Sequence, residues 1–139
     1  MSLTKPHEVR EKEAGKRAEE TFIVLCASGF NNIARARSAL MFATLAASAD
    51  YKTVLFCVQD GVDFLVKGAV EKNEVPKPGV PTLAQRLREA IEMGVEIQSC
   101  SQTMQNRKVS AEDLVPGVTV AGAMNLVVLA SSAKGTLSF

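Results

Sequence analysis

Two runs of consecutive apolar residues constrain the fold of this chain most strongly. Residues 22–27 and 53–58 are apolar at almost every position instead of alternating between apolar and polar. That pattern is typical of parallel strands that lie in the middle of a sheet and are covered by helices on both faces. An alanine-rich segment with the length of a helix, residues 33–49, lies between them. The succession of strand, helix and strand predicts an α/β fold.

The rest of the chain continues the alternation of strands and helices. A helix begins at the capping box that Thr82 opens and ends before Gly94, and a last helix covers residues 122–133. Three further strands are predicted, at residues 95–98, 118–120 and 136–139. This order predicts a three-layer α/β/α sandwich with a mostly parallel five-stranded sheet.

Polar residues that follow the first two strands predict helix caps. Asn31 or Asn32 suits the N-cap of the helix over residues 33–49. Asp60 suits the N-cap of a helix over residues 61–70, although it also lies where a site would be lined. The helix over residues 33–49 is apolar most of the way round, which favours a subunit interface in addition to the core.

Composition narrows the function classes. A chain of 139 residues forms one domain, and we divide it into a charged N-terminal extension, residues 1–20, and an α/β domain, residues 21–139. The 16 Lys and Arg against 15 Asp and Glu leave no basic surface for nucleic acid. No apolar run reaches the roughly 18 residues of a membrane span.

The single histidine, His7, lies in the charged extension. A Cys–His or Ser–His–Asp arrangement is therefore improbable, and so is a metal site built from histidines. The loops carry no glycine-rich nucleotide fingerprint, so we expect no cofactor and no metal. The three cysteines form no CxxC pair, which favours a reducing cytoplasm over a disulfide framework.

Cys100 is the candidate catalytic residue. It follows the third predicted strand and enters a polar segment, at the sheet edge where open α/β folds bind ligands. The start of the next helical turn would favour a thiolate there, and Arg107 and Lys108 follow closely. Cys26 and Cys57, in contrast, lie inside apolar strands and are interpreted as core residues. The residues that could line the site are Ser28, Gly29, Asn31, Asp60, Ser99, Ser101 and Gln102.

The chemistry that suits Cys100 is limited by the absence of a histidine base. Peptide or ester cleavage needs a proton donor for the leaving group, and dithiol redox cycling needs a second cysteine nearby. Transfer of sulfur between thiols needs only an accessible thiolate and a partner thiol. A persulfide carrier, an inert cysteine and a thiol peroxidase remain as alternatives, in that order.

The chain from residue 21 to residue 139 resembles the DsrE/DsrF-like family of small sulfur-relay proteins. The likeness lies in the order and spacing of several short segments rather than in one strong motif. These segments are Ser28-Gly29, Asp60-Gly61-Val62, Gly94-Val95-Glu96-Ile97 before Cys100, Ser110-Ala111-Glu112-Asp113-Leu114, Gly117-Val118, Ala121-Gly122-Ala123 and Leu137-Ser138-Phe139.

The resemblance implies a flavodoxin-like fold and a homotrimer or homohexamer. It also implies sulfur transfer through one cysteine after the third strand, the position that Cys100 occupies. We therefore expect a cytoplasmic sulfurtransferase, or sulfur carrier, that holds sulfane sulfur as a persulfide or thiosulfonate and exchanges it with donor and acceptor proteins. The alternative is a non-catalytic structural or small-ligand-binding subunit of such an oligomer.

Overall fold

A computed structural model describes residues 19–139, so most of the predicted N-terminal extension lies outside the described residues. Five strands alternate with six helices in this part of the chain, and two short 3₁₀ turns lie at residues 30–32 and 111–113. The strands are β1 (Thr21–Cys26), β2 (Lys52–Cys57), β3 (Glu96–Cys100), β4 (Val118–Ala121) and β5 (Gly135–Ser138). The helices are α1 (Ile33–Ser48), α2 (Asp60–Asp63), α3 (Ala69–Asn73), α4 (Leu83–Glu92), α5 (Ser101–Arg107) and α6 (Ala123–Ser132).

The five strands form one sheet in the order β4-β3-β2-β1-β5, and every neighbouring pair is parallel. The chain moves outward from β1 to β4 and then returns to the far side of β1. Because crossovers between parallel strands are right-handed, these two directions place their helices on opposite faces of the sheet. The predicted α/β/α sandwich is confirmed, with a sheet that is parallel throughout.

The face under α1 and α4 carries the larger core. Val24, Leu55 and Ile97 lie side by side on β1, β2 and β3 and are fully buried. They belong to one apolar cluster with Leu40 of α1 and Leu87 of α4. Burial of each such side chain stabilises the fold by about 1.5–3 kcal/mol.

The opposite face is covered by α6, the return crossover. Leu126 and Ala130 of α6 line a small cavity together with Ile23 and Leu25 of β1. One helix cannot cover five strands. The outward side of α6 is itself exposed to solvent. No helix within residues 19–139 is both long enough and apolar enough to cross a membrane.

The predicted caps have different outcomes. The Asn32 side chain accepts a hydrogen bond from the Arg35 N–H, and Thr82 forms the full capping box with Gln85, so both predictions are confirmed. The cap by Asp60 is wrong: the N-cap is Gln59, and the helix stops at Asp63 instead of reaching residue 70.

The backbone between the short helices α2 and α3 explains the shorter helix. Val66 forms an isolated antiparallel bridge with Leu114, which diverts the chain from helical geometry. Gly68 then adopts a φ of 77°, in the left-handed region, before α3 begins. Tertiary pairing with a distant loop therefore overrides the local helical pattern, which the sequence of this segment alone does not reveal.

Candidate functional site

Cys100 ends β3 and is at the same time the N-cap of α5. The sulfur therefore lies at the carboxyl edge of the sheet, as expected, beside the first turn of a helix. Only 4% of the residue is exposed, whereas its neighbours Ser101 and Gln102 are exposed on α5. Within residues 19–139 the Cys100 side chain makes no hydrogen bond. The thiol lies just beneath the surface.

The Cys100 side chain faces α6. Gln98, two residues earlier on β3, accepts a hydrogen bond of 2.9 Å at its Oε1 from Nδ2 of Asn125 in α6. Side chains alternate between the faces of a strand, so Cys100 points to the same face as Gln98. Its partner in the sheet register is Ala121, the last residue of β4, from which the chain turns through Gly122 into α6. Cys100 thus lies between β3 and the beginning of α6.

Ser99 points to the opposite face. It is fully buried and aligned with Cys57 on β2, which in turn is aligned with Cys26 on β1. Ser99 Oγ has no hydrogen-bond partner in the described residues. The structure therefore separates Ser99 from Cys100, although the two are adjacent in sequence.

Cys26 and Cys57 are fully buried, as predicted, and they lie next to each other in the sheet. A hydrogen bond between their side chains lowers the pKa of Cys26 and raises the pKa of Cys57, and burial raises that of Cys57 further. The Cys26 Sγ also donates to the Ser28 carbonyl at 3.2 Å. Sequence reasoning treated these residues as two separate core positions, because a separation of 31 positions gives no sign of register.

The turns after β1 and β2 pack directly against each other. A Cβ atom on Gly29 would lie 1.9 Å from the Asp60 carbonyl oxygen, so only glycine fits this contact. Asn31 Oδ1 accepts a hydrogen bond of 2.9 Å from the Gly29 N–H, which holds the first turn in shape. These contacts bring together Ser28, Gly29, Asn31 and Asp60. The four residues lie at one edge of the sheet, as predicted. No hydrogen bond within residues 19–139 joins any of them to Cys100.

Helix α5 is attached to the turn after β2 at two points. The Gln59 N–H donates to Thr103 Oγ1 at 3.1 Å. One helical turn later, Arg107 binds Asp63 through Nη1 and Asp60 through Nη2, the latter at 2.9 Å. The hydrogen bond that Arg107 donates to Asp60 raises the pKa of Arg107 above its ordinary value. The Arg107 charge is therefore neutralised by two carboxylates, and it is not the free positive charge that was considered for the Cys100 thiolate.

The sequence matches the DsrE/DsrF-like family over residues 20–139, which is nearly the whole described chain. The chain belongs to the DsrE/DsrF-like family. This family is associated with sulfur relay. The predicted resemblance is confirmed. In this member of the family, Cys100 is the last residue of β3.

Two proteins are similar to this chain in sequence, and one solved structure is similar to it in fold. The uncharacterized protein MK0008 of Methanopyrus kandleri is 34% identical over 93 residues, 67% of this chain and 72% of that protein. The uncharacterized protein MJ0989 of Methanocaldococcus jannaschii is 29% identical over 105 residues, 76% of this chain and 87% of that protein. The crystal structure of the ychN protein from E. coli superimposes with a TM-score of 0.66 at 20% identity, covering 86% of this chain and 98% of that one.

Sequence reasoning missed Gln98, which lies on the same face of β3 as Cys100, and Asn125, which bonds to Gln98 from α6. Gln98 gave a weak signal because it is an amide in a strand that is otherwise buried. Asn125 gave none, since its proximity to β3 depends on the return crossover of α6. The sequence predicts the neighbours of Cys100 as lining residues, but the pleat of β3 turns one of them, Ser99, away.

Proposed function

We propose that the protein is a sulfurtransferase, or sulfur carrier, that relays sulfane sulfur as a persulfide or thiosulfonate on Cys100. The observation that carries the proposal is the position of this thiol: the carboxyl end of β3, in a member of a family associated with sulfur relay. Histidine is absent from residues 19–139, so exchange between sulfur atoms remains the reaction that suits the thiol best.

The step itself needs no external oxidant. The Cys100 thiolate attacks the outer sulfur of a donor persulfide, a bond forms between Sγ and that sulfur, and the S–S bond of the donor breaks. The inner sulfur of the donor leaves with the electron pair as a thiolate, and it takes up the proton that the persulfide released. The reverse sequence with an acceptor thiol completes the relay.

The near burial of Cys100 fits a carrier that protects its cargo. A persulfide on an exposed thiol meets every thiol in solution, whereas one beneath the surface reacts more slowly with them. At 4% exposure Cys100 is still open to a small persulfide, and the exposed start of α5 offers donor and acceptor proteins the nearest surface.

We also propose that the protein works as a homo-oligomer, a homotrimer or homohexamer. The outward side of α6 supports this: Met124, Val127 and Val128 are 71%, 60% and 59% exposed, and the helix carries no charged residue. Apolar surface of this kind is typical of protein contacts. Sedimentation equilibrium measures the oligomeric state of the wild type and of Val127→Lys. A wild type that is monomeric at micromolar concentration contradicts the oligomer. The cytoplasmic location stays a prediction.

A second candidate, a non-catalytic structural or ligand-binding subunit, is favoured by one observation. A nucleophilic cysteine is ordinarily accessible to solvent, and 4% exposure is low for one. Incubation of the native protein with a low-molecular-weight persulfide, followed by intact mass, separates the two. The proposal expects the gain of one sulfur atom in the wild type and in Cys57→Ala, and no gain in Cys100→Ala. A gain that persists in Cys100→Ala refutes the carrier role and leaves the structural role.

A further inference from the structure

We infer that Gln98 and Asn125 form the binding site for the sulfur atom that Cys100 carries. This inference rests on the proposed function, and it assigns to the site two residues from different elements, β3 and α6. They present amide N–H groups to the terminal sulfur of a persulfide anion.

Burial of Gln98 is the first observation. An amide on a central strand is costly to bury without hydrogen bonds, and Gln98 is 6% exposed. The structure gives this side chain one hydrogen bond within residues 19–139, to Asn125. In either orientation of the two amides, the pair retains one unpaired NH₂ group and one unpaired oxygen. Asn125 itself is exposed, so the free NH₂ group lies where a ligand that accepts hydrogen bonds can reach it.

Position is the second observation. Residues two apart on a strand lie about 6.6 Å apart and point to the same side, so the Gln98 amide and Cys100 Sγ share one face. The outer sulfur of a persulfide lies about 2 Å beyond Sγ. The Gln98 side chain is long enough to span the remaining distance. Ser99 is less suited, because it is fully buried on the opposite face of the sheet, in line with Cys57.

Charge is the third observation. A persulfide is more stable as an anion when hydrogen-bond donors face its terminal sulfur, and bonds to a charged acceptor are stronger than neutral ones. The first turn of α6, a helix of 10 residues, follows directly from Ala121, the register partner of Cys100. Its backbone N–H groups and positive dipole end add to the Gln98 donor in favouring negative charge.

Three variants of the full-length protein test the inference. Gln98→Leu removes the donor and the bridge to α6, whereas Gln98→Glu keeps an acceptor for Asn125 Nδ2, removes the donor and adds a negative charge. Thr119→Val is the matched control: Thr119 is the register partner of Gln98, but its hydroxyl donates to the Ile97 carbonyl and not to the site. Unfolding temperatures confirm that each variant is folded.

Two reactions of Cys100 are compared in each variant. Persulfidation by glutathione persulfide, followed by intact mass, is expected to slow at least tenfold in both Gln98 variants and to stay within twofold of the wild type in Thr119→Val. Alkylation by neutral iodoacetamide is expected to stay within twofold in Gln98→Leu and Thr119→Val, because this reagent places no anionic sulfur at the amides; in Gln98→Glu the added charge disfavours the Cys100 thiolate and slows both reactions.

The inference is overturned if persulfidation is unchanged in the Gln98 variants, or if alkylation of Gln98→Leu falls in parallel with its persulfidation, which means that Gln98 acts only through structure. A wild type that gains sulfur on Cys100 together with unaffected Gln98 variants leaves the proposed function standing without this site. A wild type that gains no sulfur removes both.

Discussion

Gln59 adopts a backbone conformation that a glycine would adopt at lower cost. Its φ of 51° and ψ of −128° lie in a region that residues with a Cβ atom rarely occupy. The tight turn between β2 and α2 imposes this conformation, and the Gln59 N–H is held by Thr103 Oγ1 at 3.1 Å. We predict that Gln59→Gly stabilises the protein, because the backbone hydrogen bond is retained and the strain is released.

The magnitude follows from two opposing terms. Strain at a residue of this kind costs about 1–3 kcal/mol, and the greater freedom of glycine in the unfolded chain costs roughly 0.5–1 kcal/mol. The difference is a gain of about 0.5–2 kcal/mol. For a domain of this size, that gain raises the melting temperature by roughly 2–8 °C.

Differential scanning calorimetry and urea unfolding measure the gain, with Gln59→Ala as the matched control. Alanine also removes the exposed side chain but keeps the Cβ atom, so its stability should stay within about 0.5 kcal/mol of the wild type. If glycine gives no more stability than alanine, the turn is not strained and the reasoning is refuted.

Three further predictions concern contacts elsewhere in the fold. Gly29→Ala should destabilise by about 2 kcal/mol or more in urea unfolding, since its methyl group would overlap the carbonyl of the facing turn; a loss below about 0.5 kcal/mol contradicts this contact. Glu74→Ala should cost about 2–4 kcal/mol in the same assay, because it leaves Arg37 and a backbone N–H without their acceptor; an unchanged urea midpoint argues against it. Hydrogen bonds from the Ser110 backbone and hydroxyl lower the pKa of Asp113, so this carboxylate contributes stability that is present above its unfolded pKa and is lost as pH falls through the folded value. An NMR titration should find the pKa of Asp113 raised in Ser110→Ala, and an equal pKa in both proteins contradicts the assignment.

The features that sequence reasoning predicted well are those that depend on local pattern. Fully apolar strands gave the parallel sheet, and the Thr82 capping box gave the start of α4. The glycine that ends this helix, Gly94, does adopt a left-handed φ of 95°. Each of these follows from a few neighbouring residues and elementary sterics.

The features that it missed depend on register and on packing between distant segments. The pairing of Cys26 with Cys57 and the bond from Asn125 to Gln98 are both set by how strands align and by which face a crossover covers. The short helix after Asp60 has the same origin, since a bridge from a distant loop ends it. A single sequence contains no local signal for such contacts.

The measurement that tests the central proposal most directly is the location of sulfane sulfur among the three cysteines. The native protein is exposed to a low-molecular-weight persulfide, unreacted thiols are alkylated after unfolding, and the peptides are analysed by mass spectrometry. The proposal predicts an added sulfur on the peptide that contains Cys100, removed by dithiothreitol, with Cys26 and Cys57 recovered as alkylated cysteines without added sulfur. Sulfur distributed over all three cysteines, or absent from Cys100, contradicts it.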